Sequence, residues 1–140
     1  MNFLIDTNVI SELTRPRPDP RVVAFLHQAD EDRLFLSVIT LAELRRGVAL
    51  KPDGKAKQAL EVWMAGPLIE RFSGRVVHVD RHIANAWGEL MASAQRRGLA
   101  LHVMDGFLAA TAIAHQFALA TRNVRDFEPF GVPVFDPWRS

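Results

Sequence analysis

Carboxylates stand at or just past the ends of several apolar bursts in this chain, where a fold can gather side chains from distant segments. Asp6 closes Phe3-Leu4-Ile5 and runs on into Thr7 and Asn8. Thr40 and Glu43 follow the burst Leu34–Val38, Asp105 opens the apolar stretch from Val103 to about Gln116, and Asp126 lies three residues past Asn123 in Thr121-Arg122-Asn123. Two carboxylates about 4 Å apart repel by about 4 kcal/mol at an effective dielectric of 20, so a cluster needs shared protons or a bound cation. Oxygen donors without cysteine or clustered histidine favour Mg²⁺ or Mn²⁺ over zinc. Acidic sites of that kind handle phosphates: the ion orients an attacking water, lowers its pKa and neutralises charge on the pentavalent phosphate. No histidine or lysine base is then obligatory.

Each residue also has a purely structural explanation. Asp6, Thr7 and Asn8 are all helix N-capping types, yet one cap accounts for one of the three, and Thr7 and Asn8 remain free to help cap even if Asp6 is a ligand. Glu43 could be a surface glutamate pairing with Arg46 at i+3, although Gly47 at i+4 leaves open space beside it. Asp105 shares its helical face with Ala109 and Ala112 and is expected to be largely buried. A helix dipole of about 0.3–1 kcal/mol is small against the desolvation of a buried ion, several kcal/mol. With no Lys or Arg adjoining it, Asp105 calls for a metal or a distant basic partner. Asn123 and Asp126 occupy a turn-forming context in which both types are common. Asp80 is read as a helix cap. His78 and His82 straddle a strand-to-helix junction and are read as structural, with no third ligand nearby; His27, His102 and His115 are isolated. Trp63, Trp87 and Trp138 fit core or interface packing.

The elements that must position these residues are legible from period. Strands are expected at Phe3–Ile5, Leu34–Val38, Val76–Val79, Phe117–Ala120 and Val132–Phe135. Ile83, Trp87, Leu90, Met91 and Ala94 mark a helix stopping near Gly98, and Leu41, Leu44 and Val48 mark another ending near Lys51-Pro52. A third runs from Val103 to about Gln116, apolar nearly all round. A fourth surrounds Leu60, Trp63 and Met64 and breaks at Gly66-Pro67. Two short helices, around Val9–Leu13 and Val22–Leu26, flank the proline-rich Arg15–Pro20 turn. Strands alternating with helices predict an α/β fold with a central parallel sheet of four to five strands flanked by helices, a three-layer sandwich forming one domain over 1–140. In such sheets ligands gather outside the C-terminal strand ends, near a switch in strand order, where the acids lie.

The bulk numbers are permissive. The 140 residues carry a formal net charge of +1 and no cysteine, which rules out disulfides and thiolate metal sites and suits a reducing cytosol. No apolar run approaches the roughly 20 residues of a membrane span, so a soluble, cytoplasmic protein without membrane contact is expected. A phosphatase aspartyl nucleophile would want a second Asp where Asn8 stands, and no glycine-rich phosphate loop is present. A non-catalytic binding module leaves several acids at strand ends unexplained.

Four segments, taken in order, carry a resemblance. Leu4-Ile5-Asp6-Thr7-Asn8-Val9-Ile10-Ser11, Thr40-Leu41-Ala42-Glu43-Leu44 with Gly47, Asp105-Gly106-Phe107-Leu108-Ala109-Ala110-Thr111-Ala112, and Thr121-Arg122-Asn123 with Asp126-Phe127 resemble the PIN-domain toxins. The likeness is to the VapC group and its FitB-like branch, and it extends to the Val134–Trp138 ending. It implies a PIN-like sandwich and a Mg²⁺-dependent endoribonuclease, with Mn²⁺ able to substitute, that arrests growth by cutting RNA, often tRNA or rRNA. It also implies a homodimer held in check by a small VapB-like antitoxin, in a higher assembly. Transferred residue by residue, Asp6 and Asp105 become metal ligands and Glu43 a third acid, with Thr7, Asn8, Thr121 and Asn123 in support. Some relatives carry an acid where this chain has Asn123, others three residues on; here Asp126 is preferred as the fourth acid. Arg122, beside the site, is the candidate for an RNA-phosphate contact, while Arg45-Arg46, Lys51, Lys55-Lys57 and Arg96-Arg97 are read mostly as solvated helix faces.

Overall fold

The computed structural model describes residues 1–139 and places β1 (Phe3–Ile5) at the centre of a five-stranded sheet. The other strands are β2 (Leu34–Ser37), β3 (Val76–Val77), β4 (Ala118–Ala120) and β5 (Val134–Phe135), in the order β3-β2-β1-β4-β5. Every pairing is parallel, with Ile5 opposite Ala120, Leu4 opposite Phe35 and Ala120 opposite Phe135. The chain steps from β1 outward through β2 to β3, then crosses to β4 on the other side of β1. That reversal makes the C-terminal ends of β1 and β4 the switch point at which α/β sheets bind ligands. The two edge strands are the shortest, which limits unpaired backbone at the sheet margins.

Strand periodicity divides the apolar residues between two cores. Ile5, Leu34, Leu36 and Ala120 face one way, toward Val9, Ile10, Val22, Leu26, Leu68, Phe72 and Trp138. Leu4 and Leu119 face the other, toward Leu108, Ala109, Ala112, Phe117 and Phe127. The helices that cover these faces are α1 (Thr7–Glu12), α2 (Pro20–Gln28), α3 (Val38–Ala49), α4 (Lys55–Ala65), α5 (Pro67–Arg71), α6 (Arg81–Arg96), α7 (Val103–His115) and α8 (Val124–Phe127). The result is the expected three-layer sandwich. Among the described residues no helix is long and apolar enough to cross a membrane.

Several boundaries differ from the sequence expectation, each for a local reason. Val38 is helical because the Ser37 hydroxyl accepts from the Ile39 N–H at 3.0 Å and starts α3 there. The strands expected at Val76–Val79, Phe117–Ala120 and Val132–Phe135 are shorter, since parallel pairing covers only Val76–Val77, Ala118–Ala120 and Val134–Phe135. Helix stops behave as read: Gly98 has φ +66° after α6, and Gly66-Pro67 separates α4 from α5. Asp80 caps α6, its Oδ1 accepting from the Ile83 N–H at 2.9 Å.

Candidate active site

Asp6 is the residue the sheet controls most directly. Its backbone N–H still donates to the Ala120 carbonyl at 2.9 Å, continuing the β1–β4 ladder by one residue. That register sets Asp6 against Thr121, one step past Ala120. Asp6 is 4% exposed. Oδ1 accepts from the Thr7 N–H at 2.7 Å, and Oδ2 accepts from the Thr121 hydroxyl at 2.7 Å and the Asn8 amide at 3.4 Å. The carboxyl is pushed up to about 6: burial raises it most, the bonds from Thr121 and Thr7 lower it, and the charges of Asp105 and Glu43 raise it.

The division of labour in Asp6-Thr7-Asn8 differs from the expectation that Thr7 and Asn8 would cap. Asp6 is itself the N-cap of α1, with extended backbone at φ −69°, ψ 156°. Thr7, already the first helical residue, donates its hydroxyl to Glu43 Oε1 at 2.7 Å. Asn8 bridges instead, its amide reaching both Asp6 Oδ2 and Thr121 Oγ1 at 3.4 Å. One carboxylate therefore both starts a helix and joins the acid cluster.

Glu43, on α3, is half-buried. It forms no ion pair with Arg46 among the described residues. A Cβ on Gly47 would meet nothing within 4 Å, so the groove beside Glu43 stays open as its sequence suggested.

Asp105 is only half-buried, not largely buried. It lies in the first turn of α7, whose start stands clear of the neighbouring layers: His102 and Val103 are exposed, Val103 at 50%. Burial raises its pKa first, then the charge of Glu43; His102 lowers it and Asp126 raises it. Among the described residues no Lys or Arg forms an ion pair with Asp105.

Sequence reasoning missed the residues that hold Asp105. His102, set aside as isolated, caps α7 by accepting from the Met104 N–H at Nδ1, 3.3 Å away. Trp87 on α6 donates its indole N–H to the Val103 carbonyl at 3.2 Å and stacks on Phe107 with centroids 4.8 Å apart. A Cβ on Gly106 would stand 2.6 Å from Met91 Sδ and 3.0 Å from Trp87 Nε1. Gly106 is what lets α6 lie this close beside Asp105. The available signal was a glycine immediately after the acid in an otherwise apolar helix.

Asp126, on α8, is exposed at the rim. The Asn123 side chain makes no capping bond; its backbone N–H donates to Thr121 Oγ1 at 3.0 Å. Arg122 donates its backbone N–H to Asn8 Oδ1 at 3.4 Å and lays its guanidinium over the Trp138 ring, 5.1 Å from the centroid. The four acids act on one another through a chain of repulsions: Asp6 with Asp105 and Glu43, Asp105 with Glu43 and Asp126.

No group of three or more acids, histidines or cysteines among the described residues is arranged as a ready-made metal cage. The donor chemistry nevertheless suits Mg²⁺, which keeps several waters and takes one or two carboxylates rather than an all-protein cage. The oxygens here are carboxylate and hydroxyl, and the mutual repulsion of the acids is what a divalent cation relieves.

A PIN domain family model matches residues 3–130. The chain belongs to the PIN-domain family. Its relatives lie in the VapC group: the VapC ribonuclease Y4jK of Sinorhizobium fredii is 39% identical over 136 residues, covering 97% of each chain. The toxin FitB of Neisseria gonorrhoeae is 41% identical, over 97% of this chain and 98% of FitB. Among solved structures, that of FitAcB from the same organism superimposes with a TM-score of 0.93 at 40% identity, covering 99% of both chains. The PIN-domain match spans Asp6, Glu43, Asp105 and Asp126 alike.

Proposed function

We propose that this chain is the toxin of a type II toxin–antitoxin pair, a Mg²⁺-dependent endoribonuclease that hydrolyses RNA phosphodiester bonds, with tRNA or rRNA as targets. The observation that carries the reading is the gathering of Asp6, Glu43, Asp105 and Asp126 at the switch point of the sheet, each raising or sharing the electrostatic burden of another. The relatives named as a VapC ribonuclease and as toxin FitB, similar over nearly their whole lengths, support it.

Asp6, Asp105 and Glu43 would hold Mg²⁺, or Mn²⁺ in its place. When bound, the cation supplies a water of lowered pKa and positive charge against the phosphate. The protein's own part is preparation. Thr121 and the Thr7 N–H fix both oxygens of Asp6, and the Thr7 hydroxyl fixes one oxygen of Glu43. Asp126, at the exposed rim, orients the attacking water, and Arg122 contacts a phosphate. The chain works as one cytoplasmic domain, assembles as a homodimer, and is restrained by a small VapB-like antitoxin.

Purified protein with Mg²⁺ is expected to cut structured RNA, and Asp6→Asn or Asp105→Asn to abolish cutting. Substitutions that remove a group acting only in the transition state commonly cost 10²–10⁴-fold, roughly, in rate. If both variants cut like the parent, the assignment fails. Activity on nucleoside monophosphates with none on oligoribonucleotides would instead indicate a phosphatase.

A further inference from the structure

The proline-rich turn reaches the acid cluster only where Arg15 and Pro16 line the cavity beside Glu43, and it builds a second site next to it. Arg15-Pro16-Arg17-Pro18-Asp19-Pro20 alternates with proline, and each X-Pro step favours extended backbone, so the segment is stiff before anything binds. Buried Glu12 ties it down by accepting from the Asp19 N–H at 2.8 Å. This turn forms one wall of a polar groove of about 550 Å³, and Arg122 with the chain's C-terminal turn forms the other.

Five arginines line the groove: Arg15, Arg17, Arg21, Arg122 and Arg139. Among the described residues, Glu12, Asp19 and Asp136 are the acids that oppose them, in a chain whose formal net charge is +1. The carboxylates are already engaged. Arg21 forks onto Asp19 at 2.8 and 3.1 Å, Arg15 lies 3.6 Å from Glu12, and Arg139 lies 3.6 Å from Asp136. Arg17 and Arg122 have no carboxylate within ion-pair distance among the described residues. Arg122 is held over Trp138, and its backbone is bonded to Asn8, which is bonded to Asp6. The groove thus begins at the rim of the acid cluster. The adjoining cavity beside Asp126 holds three arginines against three acids and has no such surplus.

We infer that this arginine groove binds the phosphate backbone of the RNA strand on one side of the scissile bond, with Arg17 and Arg122 as its phosphate contacts. The inference rests on the ribonuclease reading of the acid cluster. A strand cut among carboxylates is a polyanion whose neighbouring phosphates need a cationic surface, and arginine forks match phosphate oxygens pairwise. Arg17 on the stiff, anchored turn and Arg122 held over Trp138 on the opposite wall meet that need without ordering a loop first.

The test uses the full chain and two synthetic substrates, a single-stranded twelve-nucleotide RNA and a trinucleotide too short to span both sites. Arg17→Glu, at an exposed position that leaves the core untouched, is expected to lower the preference for the longer substrate about tenfold at 0.1 M salt. Loss of one phosphate contact should also flatten the log–log salt dependence of its binding by about 0.7. Arg17→Lys should recover most of the slope, and Arg17→Glu/Arg139→Glu should flatten it no less than Arg17→Glu. Unchanged preference and slope in Arg17→Glu, with the parent still cutting RNA, overturn the groove and leave the ribonuclease standing. Equal losses on both substrates overturn it too, by placing the effect at the acid cluster. A parent that neither binds nor cuts either RNA removes both readings. Binding of polyglutamate in preference to RNA would reassign the groove to an acidic protein segment.

Discussion

Asp6 carries a conflict that a purely structural residue would not: it caps a helix, yet it is buried beside two other acids. Below the ordinary carboxyl range both folded and unfolded chains hold its proton, and its ionisation does not affect folding. As the pH rises past 3.8 the unfolded chain ionises first, while the folded carboxyl keeps its proton to about 6. Ionised Asp6 therefore destabilises the fold, fully so above pH 6, by about 3 kcal/mol. Asp6→Asn is expected to stabilise the protein at pH 7.5 by an amount of that order and to gain nothing below pH 4, as urea unfolding at the two pH values would show. Thr121→Val removes the 2.7 Å bond that lowers the Asp6 pKa. The acidic limb of its pH–activity profile should then move to higher pH. A matching profile in parent and variant would deny Thr121 this role.

At the level of elements, the site depends on two close approaches. One is the β1–β4 ladder, extended to the Asp6 N–H, which brings residues 6 and 121 together across the sheet. The other is the contact of α6 with α7 at Gly106. Met91 is flexible and can retreat from a new methyl group, but Trp87 is held by Val103 and Phe107. Gly106→Ala is expected to cost about 1–3 kcal/mol, as overpacked sites do. Because Asp105 is the preceding residue, RNA cleavage should fall further than the stability loss alone accounts for. Thermal melts paired with cleavage rates measured well below the melting range would separate the two effects. Gly106 was readable only as a glycine beside an acid, and Trp87 only as a packing residue, since their roles rest on which helix packs against α7, and period alone does not specify the partner.

For the whole molecule, the expected consequence of clustering like charges is that a cation stabilises the fold. A ligand present at a hundred times its Kd adds about 2.7 kcal/mol. Mg²⁺ should therefore raise the melting temperature of the parent by several degrees. Asp6→Asn/Asp105→Asn should lose most of that increment while starting from a higher baseline. An equal Mg²⁺ response in both would mean that the ion acts elsewhere. The parallel sheet itself was readable in outline, because alternation within Leu4–Ile5 and Leu34–Leu36 divides the core between two faces. Strand ends were read too long where pairing, which no single segment contains, cut them short.

By itself the sequence determined which residues can do chemistry and where they sit along the chain: acids at strand ends and helix starts, a glycine beside two of them, hydroxyls beside Asp6 and its partner strand. Those follow from local period, cap chemistry and charge, which neighbouring residues settle among themselves. The cap that Asp6 gives α1 is of that local kind, whereas tertiary structure alone decided that Thr7 would serve Glu43 and that Asp105 would be half-exposed. It also brought the Arg15–Pro20 turn alongside Arg122. Each of these depends on contacts between segments distant in sequence, such as Thr7 and Glu43, 36 positions apart, where burial and hydrogen-bond geometry exist only once the sheet has formed.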